Sequence, residues 1–425
     1  MRILVIGINY APERTSVAPF TTGLCEHLAN QGNQVTVVTA FPYYPEWRVW
    51  DGYRGSLYRK EIINGVEVRR VAHFVPGKPS SLVQRLVYDL TFTLAAFIAA
   101  LFTGKCDLIY CSCPPPTVAF AAYLLSIVKK RAPFVMKVTD LASDAALSTG
   151  IMKNKAGIRL ARALESFTYR KALAVVCLCQ GFIHRLRERG VPAEKLQLIP
   201  DWGDTQEIRP QARDASFRQA HDISSSAFLV LHTGNMGKKQ DLANVVHAAQ
   251  LSQSDPGLVW LLVGQGEERA ALEQEIRQHH LTNIRLLPLQ PVDTLSRMYA
   301  AADALLVNQR KAVEDAVIPS KLLTYMAAGR AVLAAVSECS ETARQVSRAN
   351  CGVVLPAEDP RALVDAACAL RFAPAFSQRL GKNGRAYAEA NFTKSSVLQR
   401  YDEFLAPFAR PAAELVLAAH PGGER

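Results

Sequence analysis

The sequence predicts an α/β protein made of two doubly wound domains, each a largely parallel sheet with helices on both faces. Residues 2–7 form a short apolar run ending in glycine, and a helical stretch at 18–30 leads to a second apolar run at 34–39. This βαβ pattern is typical of buried parallel strands. The alternation stops in a polar stretch at 201–226 and restarts at residue 227. Such a restart favours a second α/β domain over one continued sheet.

The length of 425 residues also exceeds what one ordinary core supports. We therefore predict a first domain at 1–200, a linker at 201–226, a second domain at 227–390, and a C-terminal helix and tail at 391–425. The remaining strands are predicted at 107–113, 134–138, 172–179, 196–199, 227–232, 258–263, 284–287, 304–307 and 331–335. The remaining helices are predicted at 118–128, 158–171, 181–189, 241–249, 321–328, 361–371, 375–389 and 397–408.

The composition, 49% apolar and 20% charged, is that of a folded globular protein, and its net charge of +11 favours anionic partners. Residues 151–195 contain ten Lys/Arg and three Asp/Glu. This stretch is either an anion or membrane surface or a solvated helix face. A nucleic-acid surface is disfavoured, because the stretch has just three aromatic residues for base stacking, Phe167, Tyr169 and Phe182.

The nine cysteines include no CxxC pair with zinc spacing, so we expect no metal site and buried thiols in a reducing cytoplasm. The chain starts directly with a strand-like run, so secretion is not expected. A dinucleotide fingerprint is missing as well. Gly7-Ile8-Asn9 stands where G-x-G-x-x-G is expected, and Thr39 stands where an acid should end the second strand.

In the first domain, candidate ligand-binding residues lie where strands end, the edge at which open α/β sheets bind ligands. Asn9 and Glu13 follow the first strand, and Tyr43 and Tyr44 belong to an aromatic-rich loop at 40–55. Aromatic rings of this kind stack on sugars and lipids. A loop held together by its own aromatic residues is the alternative.

Two carboxylates, Asp140 and Asp144, follow the strand at 134–138. They could bind sugar hydroxyls or act in acid–base chemistry, and an N-cap for the next helix is the alternative. The most hydrophobic segment, 82–102, is interrupted by Arg85 and Asp89. Its unbroken part is shorter than the roughly 20 residues of a spanning helix. A core helix is our first expectation, and shallow membrane contact is the second.

In the second domain, the loop after the first strand predicts an anion cradle. Gly234 and Gly237 allow the backbone to approach a phosphate, Lys238 and Lys239 add positive charge, and a helix follows from Asp241. The pattern is not a Walker A motif. A second glycine turn at Gly264-Gln265-Gly266 is a weak signal and could be a tight turn alone.

Residues 314–330, EDAVIPSKLLTYMAAGR, predict acidic residues leading into a short helix. Ser320 is the predicted N-cap, Gly329 the C-terminal cap, and the helix start beside Lys321 would attract an anion such as a sugar-nucleotide diphosphate. An ordinary surface loop entering a helix is the alternative.

Several separated motifs resemble the GT-B glycosyltransferases of the retaining family 4 type. GINYAPE, PYYPEW, TGNMGKKQDL, LVGQGEE, PLQ and DAVIPSKL occur in the family's order, and the resemblance covers nearly the whole chain. Within the family it is closest to the colanic acid and exopolysaccharide glycosyltransferases of the fucosyltransferase type. The resemblance implies two Rossmann-like domains facing an interdomain cleft, followed by C-terminal helices.

By this resemblance the enzyme transfers a sugar, with fucose from GDP-fucose expected, to a lipid-linked saccharide. It uses no metal or other cofactor and acts in the cytoplasm, on the inner face of the membrane. Glu314, Asp315, Lys321 and Asp140 are the implied catalytic residues. The implied donor-binding residues are Gly234, Asn235, Lys238, Lys239, Gly264, Gln265, Lys311, Pro319, Ser320 and Thr324. The implied acceptor-binding residues are Asn9, Glu13, Tyr43, Tyr44 and Asp144.

The sequence also departs from the family's pattern. Two glutamates eight positions apart are common in family 4, and Ala316 and Thr324 occupy those positions here. Asn235 aligns with the cradle's usual arginine, and Thr139 precedes Asp140 where a histidine is common. The missing glutamate pair leaves a non-catalytic sugar-nucleotide-binding subunit of an assembly complex as one alternative function. A nucleotide-sugar epimerase of the same fold, which needs no lipid acceptor, is the other.

Overall fold

The structure is a computed structural model that describes residues 1–78, 81–130, 132–141, 143–144, 155–316 and 320–409. Its chain divides into two compact units. The first unit contains Met1–Pro200 and the chain from Leu398 onward, and the second unit contains Asp201–Val397.

The strands of the first unit form one mixed sheet. They are β1 (Arg2–Ile6), β2 (Gln34–Ala40), β3 (Tyr58–Ile63), β4 (Val66–Val71), β5 (Leu108–Cys113), β6 (Phe134–Val138), β7 (Ala174–Cys177) and β8 (Leu196–Leu198). Their order is β3-β4-β2-β1-β5-β6-β7-β8, with β3 antiparallel to β4 and the other neighbours parallel. The central strands are almost wholly buried, as their apolar runs predict.

The hairpin of β3 and β4 is absent from the strands predicted by sequence. Both strands carry charged residues and neither is a continuous apolar run, and β3 is a largely exposed edge strand. The Asn64-Gly65 pair in the sequence is a recognisable signal of a hairpin turn. Asn64 and Gly65 both have positive φ, 47° and 81°, as the type I′ turn of a two-residue hairpin requires.

The helices of the first unit mostly follow the predicted pattern. They are α1 (Ala18–Asn30), α2 (Leu82–Leu101), α3 (Thr117–Val128), α4 (Lys155–Lys171) and α5 (Gln180–Glu188). Helix α2 is a core helix on one side, where Tyr88, Phe92 and Ala96 are buried. By length and composition it could also cross a membrane, although 22% of its apolar window is buried inside the protein.

The second unit contains a parallel sheet in the Rossmann order. Its strands are β9 (Phe228–Asn235), β10 (Leu258–Gln265), β11 (Ile284–Leu287), β12 (Ala304–Asn308), β13 (Ala331–Ala335) and β14 (Gly352–Leu355). The order β11-β10-β9-β12-β13-β14 reverses direction between β9 and β12. Ligands of doubly wound sheets bind beyond the carboxyl ends of the strands at such a switch point.

Helices cover both faces of this sheet, and each face has its own apolar core. The helices after residue 200 are α6 (Ala215–Ala220), α7 (Ala243–Leu251), α8 (Arg269–Gln278), α9 (Leu295–Ala301), α10 (Lys321–Ala328), α11 (Glu341–Ala349), α12 (Pro360–Phe372), α13 (Pro374–Asn391) and α14 (Lys394–Leu405). The last part of α14 packs in the first unit, where the Tyr401 hydroxyl lies 3.1 Å from that of Tyr110.

Candidate active site

The sheet of the second unit brings four of the predicted donor-binding residues to one edge. Gly234 and Asn235 end β9, and they pair in register with Gly264 and Gln265 at the end of β10. The end of β12 is Asn308, on the other side of the switch point. Residues far apart in the sequence therefore surround the position where this fold binds ligands.

The glycines at this edge are required by backbone contacts. Gly234 has a φ of +117°, a conformation that other residues rarely adopt. A Cβ at Gly264 would lie 1.8 Å from the carbonyl oxygen of Gly234, and one at Gly266 would lie 2.3 Å from that of Met236. The ends of β9 and β10 therefore present bare backbone.

Lys321 extends from the start of α10 across this backbone. A Cβ at Gly234 would lie 3.4 Å from the Lys321 Nζ. The lysine keeps part of its surface exposed, but its ammonium end is enclosed by protein. Burial disfavours the charged form and lowers the pKa of Lys321 to about 7. The charge over the cradle can therefore change near neutral pH.

His232, which the sequence analysis missed, holds the Lys321 ammonium. The Lys321 Nζ lies 3.1 Å from Nε2 of His232, and Nδ1 of the same ring lies 3.1 Å from the Leu306 carbonyl oxygen. Because a carbonyl can only accept, Nδ1 carries the proton and Nε2 accepts from Lys321. Burial, followed by the charge of Lys321, lowers the pKa of His232 well below its usual value. The imidazole is therefore neutral.

Helix α10 confirms part of the prediction for residues 314–330. It spans Lys321–Ala328 and ends at Gly329 in the left-handed conformation, with φ of 67°. The predicted N-cap is wrong. Ser320 has helical angles, φ −55° and ψ −24°, and its side chain makes no capping bond, because an N-cap needs an extended backbone.

Strand β9 extends to Asn235, past the predicted end at residue 232, and α7 begins at Ala243 rather than Asp241. Asp241 has a φ of +48° and cannot continue the helix. Lys238 is exposed, and Lys239 is half-buried with its carbonyl oxygen accepting from Arg310 N at 3.0 Å. The two lysines therefore differ in their freedom to move.

Asn308 is a second residue that the sequence analysis missed. Its buried Nδ2 donates to the carbonyl oxygens of Gln240 and Asp241 at 2.7 and 2.9 Å, and its Oδ1 accepts from Asn244 at 2.9 Å. These bonds fix the end of the glycine-rich loop to β12. The signal was an amide placed directly after a buried apolar strand.

The other predicted donor residues are placed less closely. Lys311 is exposed and donates from its backbone N to Glu358, and Thr324 is half-buried on α10. Glu314 and Asp315 lie in the 3-10 turn Lys311–Ala316, and their side chains are outside the described part of the structure. Pro319 also lies outside the described residues.

In the first unit, the predicted acceptor residues bond mainly to one another. The Glu13 carboxylate accepts from the backbone N of Tyr43 and of Tyr44, both at 2.8 Å, and from Asn9 Nδ2 at 2.9 Å. Asn9, Glu13 and Tyr43 are all buried. Burial raises the pKa of Glu13, against the lowering effect of these hydrogen bonds. The cluster therefore joins the loop after β1 to the loop after β2.

Asp144 is held by arginines on α4, on α5 and directly after α5. It lies 3.0 Å from Arg162, 3.7 Å from Arg185 and 2.5 Å from Arg189. Asp140 lines a small cavity of about 10 Å³, with room for a single water molecule, beside Glu165 and Tyr169. The structure therefore puts Asp144 in an ion-pair network and Asp140 beside a small cavity.

A relative from Escherichia coli strain K12 decides the family. It carries the name colanic acid biosynthesis glycosyl transferase WcaI and is 33% identical to this chain over 410 residues, covering 94% of this chain and 98% of the relative. The chain belongs to this glycosyltransferase family. A second relative, named as the glycosyltransferase WbjE of Pseudomonas aeruginosa, is 25% identical over 64% of this chain and 68% of its own.

Family models match both units of this glycosyltransferase. Residues 15–202 match the glycosyl transferase 4-like domain, and residues 214–387 match the glycosyl transferases group 1. Sucrose-phosphate synthase from Thermosynechococcus elongatus has a similar structure, with a TM-score of 0.74 at 17% identity over 99% of this chain and 100% of its own. HepE of Anabaena, solved with UDP and glucose, also has a similar structure. Its TM-score is 0.70 at 17% identity, and the match covers 96% of this chain and 99% of HepE. These similarities confirm the GT-B fold with two Rossmann-like domains and a helical C-terminus.

Asn308 provides a prediction for this glycosyltransferase. Asn308→Ala removes the bonds to the loop and leaves the buried amide of Asn244 unpaired, so we expect about 1–3 kcal/mol of lost stability and several-fold weaker nucleotide binding. Thermal unfolding and calorimetry measure the two effects.

Asn283 is the matched control, because its buried Nδ2 bonds Ala249 O at 2.9 Å just before β11, at the opposite edge of the sheet. Asn283→Ala should lower stability and leave nucleotide affinity unchanged. Equal affinities of the two variants would show that Asn308 does not shape the site.

Proposed function

We propose that this glycosyltransferase transfers a sugar from a nucleotide diphosphate to a lipid-linked saccharide in exopolysaccharide synthesis, with retained anomeric configuration. The observation that carries the proposal is the Lys321 ammonium above the bare backbone of Gly234 at the switch point. GDP-fucose is the first donor to test, because the motifs resemble fucosyltransferase-type enzymes.

The site can stabilise a diphosphate leaving group with the groups of the chain itself. Lys321 contributes a cation, Lys239 stands at the same edge, and the first turn of α10 contributes backbone N–H groups that have no partner within the helix. Preorganised donors of this kind stabilise the charge that develops in the transition state. We propose that Glu314 or Asp315 positions the donor sugar and that Asp140 lies near the acceptor hydroxyl.

Two similar structures support a nucleotide-sugar donor. HepE was solved with UDP and with UDP-glucose, and starch synthase IV of Arabidopsis thaliana was solved with ADP and acarbose. The name of the E. coli relative, colanic acid biosynthesis glycosyl transferase, supports a polysaccharide product. We propose a cytoplasmic enzyme bound peripherally to the inner membrane face. Among the described residues, no group of three His, Cys, Asp or Glu side chains could hold a metal ion.

The direct test incubates purified protein with GDP- and UDP-sugars, with and without membrane lipid extract. Nucleotide diphosphate released only with lipid supports transfer. Donor isomerised without lipid would replace the proposal with the epimerase alternative. Tight donor binding with neither reaction would support the assembly subunit instead.

The pKa of Lys321 predicts a pH dependence for donor binding. In the free protein this pKa lies at about 7, so the lysine is mostly neutral at higher pH. A bound diphosphate favours the charged form and raises the pKa. Binding should therefore take up a proton above pH 7, and affinity should fall as the pH rises.

Calorimetry in two buffers with different ionisation enthalpies measures this uptake. Lys321→Arg is the control, because arginine stays charged throughout and has no proton to gain. Titration of the nucleotide's own phosphates is common to both proteins and cancels in the difference. Equal uptake by the two proteins would refute the assignment.

A further inference from the structure

Helix α2 carries an exposed apolar stripe along its outer face. Val83, Val87, Leu90, Leu94, Ile98 and Leu101 follow one another at intervals of three or four residues, so they share one side of the helix. Their exposed fractions lie between 37% and 69%. We call these six residues the α2 ridge. At 1.5 Å per residue the ridge is about 27 Å long. It is a continuous apolar stripe, whereas an ordinary protein surface exposes single, scattered apolar residues.

The opposite side of the same helix belongs to the core of the first unit. Tyr88 and Phe92 are buried, as are three alanines in the second half of the helix. The Thr93 hydroxyl also bonds that of Thr117 on α3 at 2.6 Å. Because α2 is fixed in the fold along one side, it cannot cross a bilayer without unfolding the unit. It can lie flat, with the ridge outward.

The apolar surface continues beyond the ridge onto α3. Phe120, Ile127 and Val128 are 40%, 53% and 61% exposed. Phe102, directly after α2, is 78% exposed. The end of α2 and the end of α3 are connected, because Lys129 Nζ donates to Thr103 O and Gly104 O at 2.8 and 3.1 Å.

Positive charge gathers at this end of the surface. Lys129 bonds the turn after α2, and Lys105 and Lys130 are exposed beside it. Arg69 donates to Phe102 O at 3.0 Å, but its charge is paired with Glu67 at 2.8 Å. The nearby Asp107 is already paired with Arg2. An apolar helix face bordered by lysines is an arrangement that binds anionic lipid surfaces.

A second copy of the chain fits this surface less well. Paired helices with apolar seams of this spacing normally carry opposite charges beside the seam, which select the partner. Between Thr91 and Leu101 the sequence has no charged residue. Arg85, closer to the start of the helix, has its guanidinium 5.7 Å from the ring centre of Trp47 in its own unit.

We infer that the α2 ridge docks the protein flat on an anionic bilayer, with the lysines at its end facing the lipid headgroups. This inference deepens the proposed function and rests on it, because a lipid-linked acceptor would lie in such a bilayer. The contacts that carry it belong to the first unit alone.

Flotation with vesicles tests the ridge without donor or acceptor. The full chain should bind vesicles of phosphatidylcholine mixed with phosphatidylglycerol, and should bind phosphatidylcholine alone more weakly. Leu90→Gln with Leu94→Gln should weaken binding at least about tenfold. The control pair Leu251→Gln with Leu289→Gln changes leucines of similar exposure in the second unit and should bind like the unchanged protein.

Sedimentation velocity of the same variants separates a membrane from a second copy. Unchanged vesicle binding by the ridge variant overturns the inference, and loss of a dimer in that variant alone assigns the ridge to self-association. The proposed function has its own readout. The ridge variant should still transfer sugar to a detergent-solubilised acceptor. If the unchanged protein binds vesicles but transfers no sugar, the result contradicts the proposed function and still supports membrane docking by the ridge.

Discussion

Lys321→Ala should lower kcat/KM for sugar transfer by roughly 10²- to 10³-fold, the usual effect of removing one preorganised donor to a developing charge. The Lys321 ammonium is fixed by His232 above the cradle, so its loss removes the charge and not merely a flexible contact. Initial rates with saturating acceptor and varied donor measure the effect.

The matched control is Lys238→Ala. Lys238 is exposed on the same loop, and a mobile surface cation contributes little to binding, so its rate should change by a few-fold at most. Thermal unfolding shows whether each variant is folded. A Lys321→Ala enzyme with unchanged kinetics would exclude Lys321 from the reaction.

Burial is what lowers the pKa of Lys321 before the donor arrives, and His232 orients the lysine without adding a charge. Its Nδ1 proton is committed to the Leu306 carbonyl oxygen, so Nε2 offers a lone pair and no positive charge. The ring therefore orients Lys321 without a salt bridge. A carboxylate at this position would neutralise the ammonium permanently and compete with a diphosphate. The neutral imidazole leaves the charge of Lys321 available to the ligand.

The sequence predicted those parts of the candidate site that depend on local chemistry. The glycines of the cradle, Lys321 and the left-handed Gly329 follow from turn and helix-end preferences. His232 and Asn308 were missed, because each appears in sequence as a polar residue in an apolar strand. Their roles arise from neighbours 89 and 68 residues away. Contacts across such separations depend on the order of the strands in the sheet, and a local sequence pattern does not show them.

The first unit shows a different limit of sequence reasoning. Glu13 has the chemistry of a sugar-binding carboxylate, but a buried carboxylate also satisfies the backbone N–H groups of Tyr43 and Tyr44. Polar residues at strand ends can bind a ligand or satisfy backbone N–H groups, and the sequence alone does not distinguish these two roles. The β3–β4 hairpin was missed for a related reason, because an exposed edge strand lacks the apolar run of a buried one.

Gly264→Ala should be among the most disruptive single-methyl changes in the second unit. The added Cβ would lie 1.8 Å from the Gly234 carbonyl oxygen, and backbone on both sides cannot move as a flexible side chain can. We expect about 3 kcal/mol of lost stability, the upper range for overpacking, and at least about tenfold weaker nucleotide binding, since the cradle must open. Thermal unfolding and calorimetry measure both quantities.

A graded series keeps this prediction testable even if Gly264→Ala does not fold. A Cβ at Gly266 would approach Met236 O to 2.3 Å, one at Gly237 would approach the movable Asn235 side chain to 3.2 Å, and one at Gly104 would meet nothing within 4 Å. The effects of alanine should decrease in that order and vanish at Gly104. Because backbone resists displacement and a side chain gives way, Gly237→Ala should resemble Gly104→Ala in stability. Equal losses of stability in Gly266→Ala and Gly237→Ala would mean that the strand ends move to accommodate a methyl group. The cradle would then not be a rigid surface.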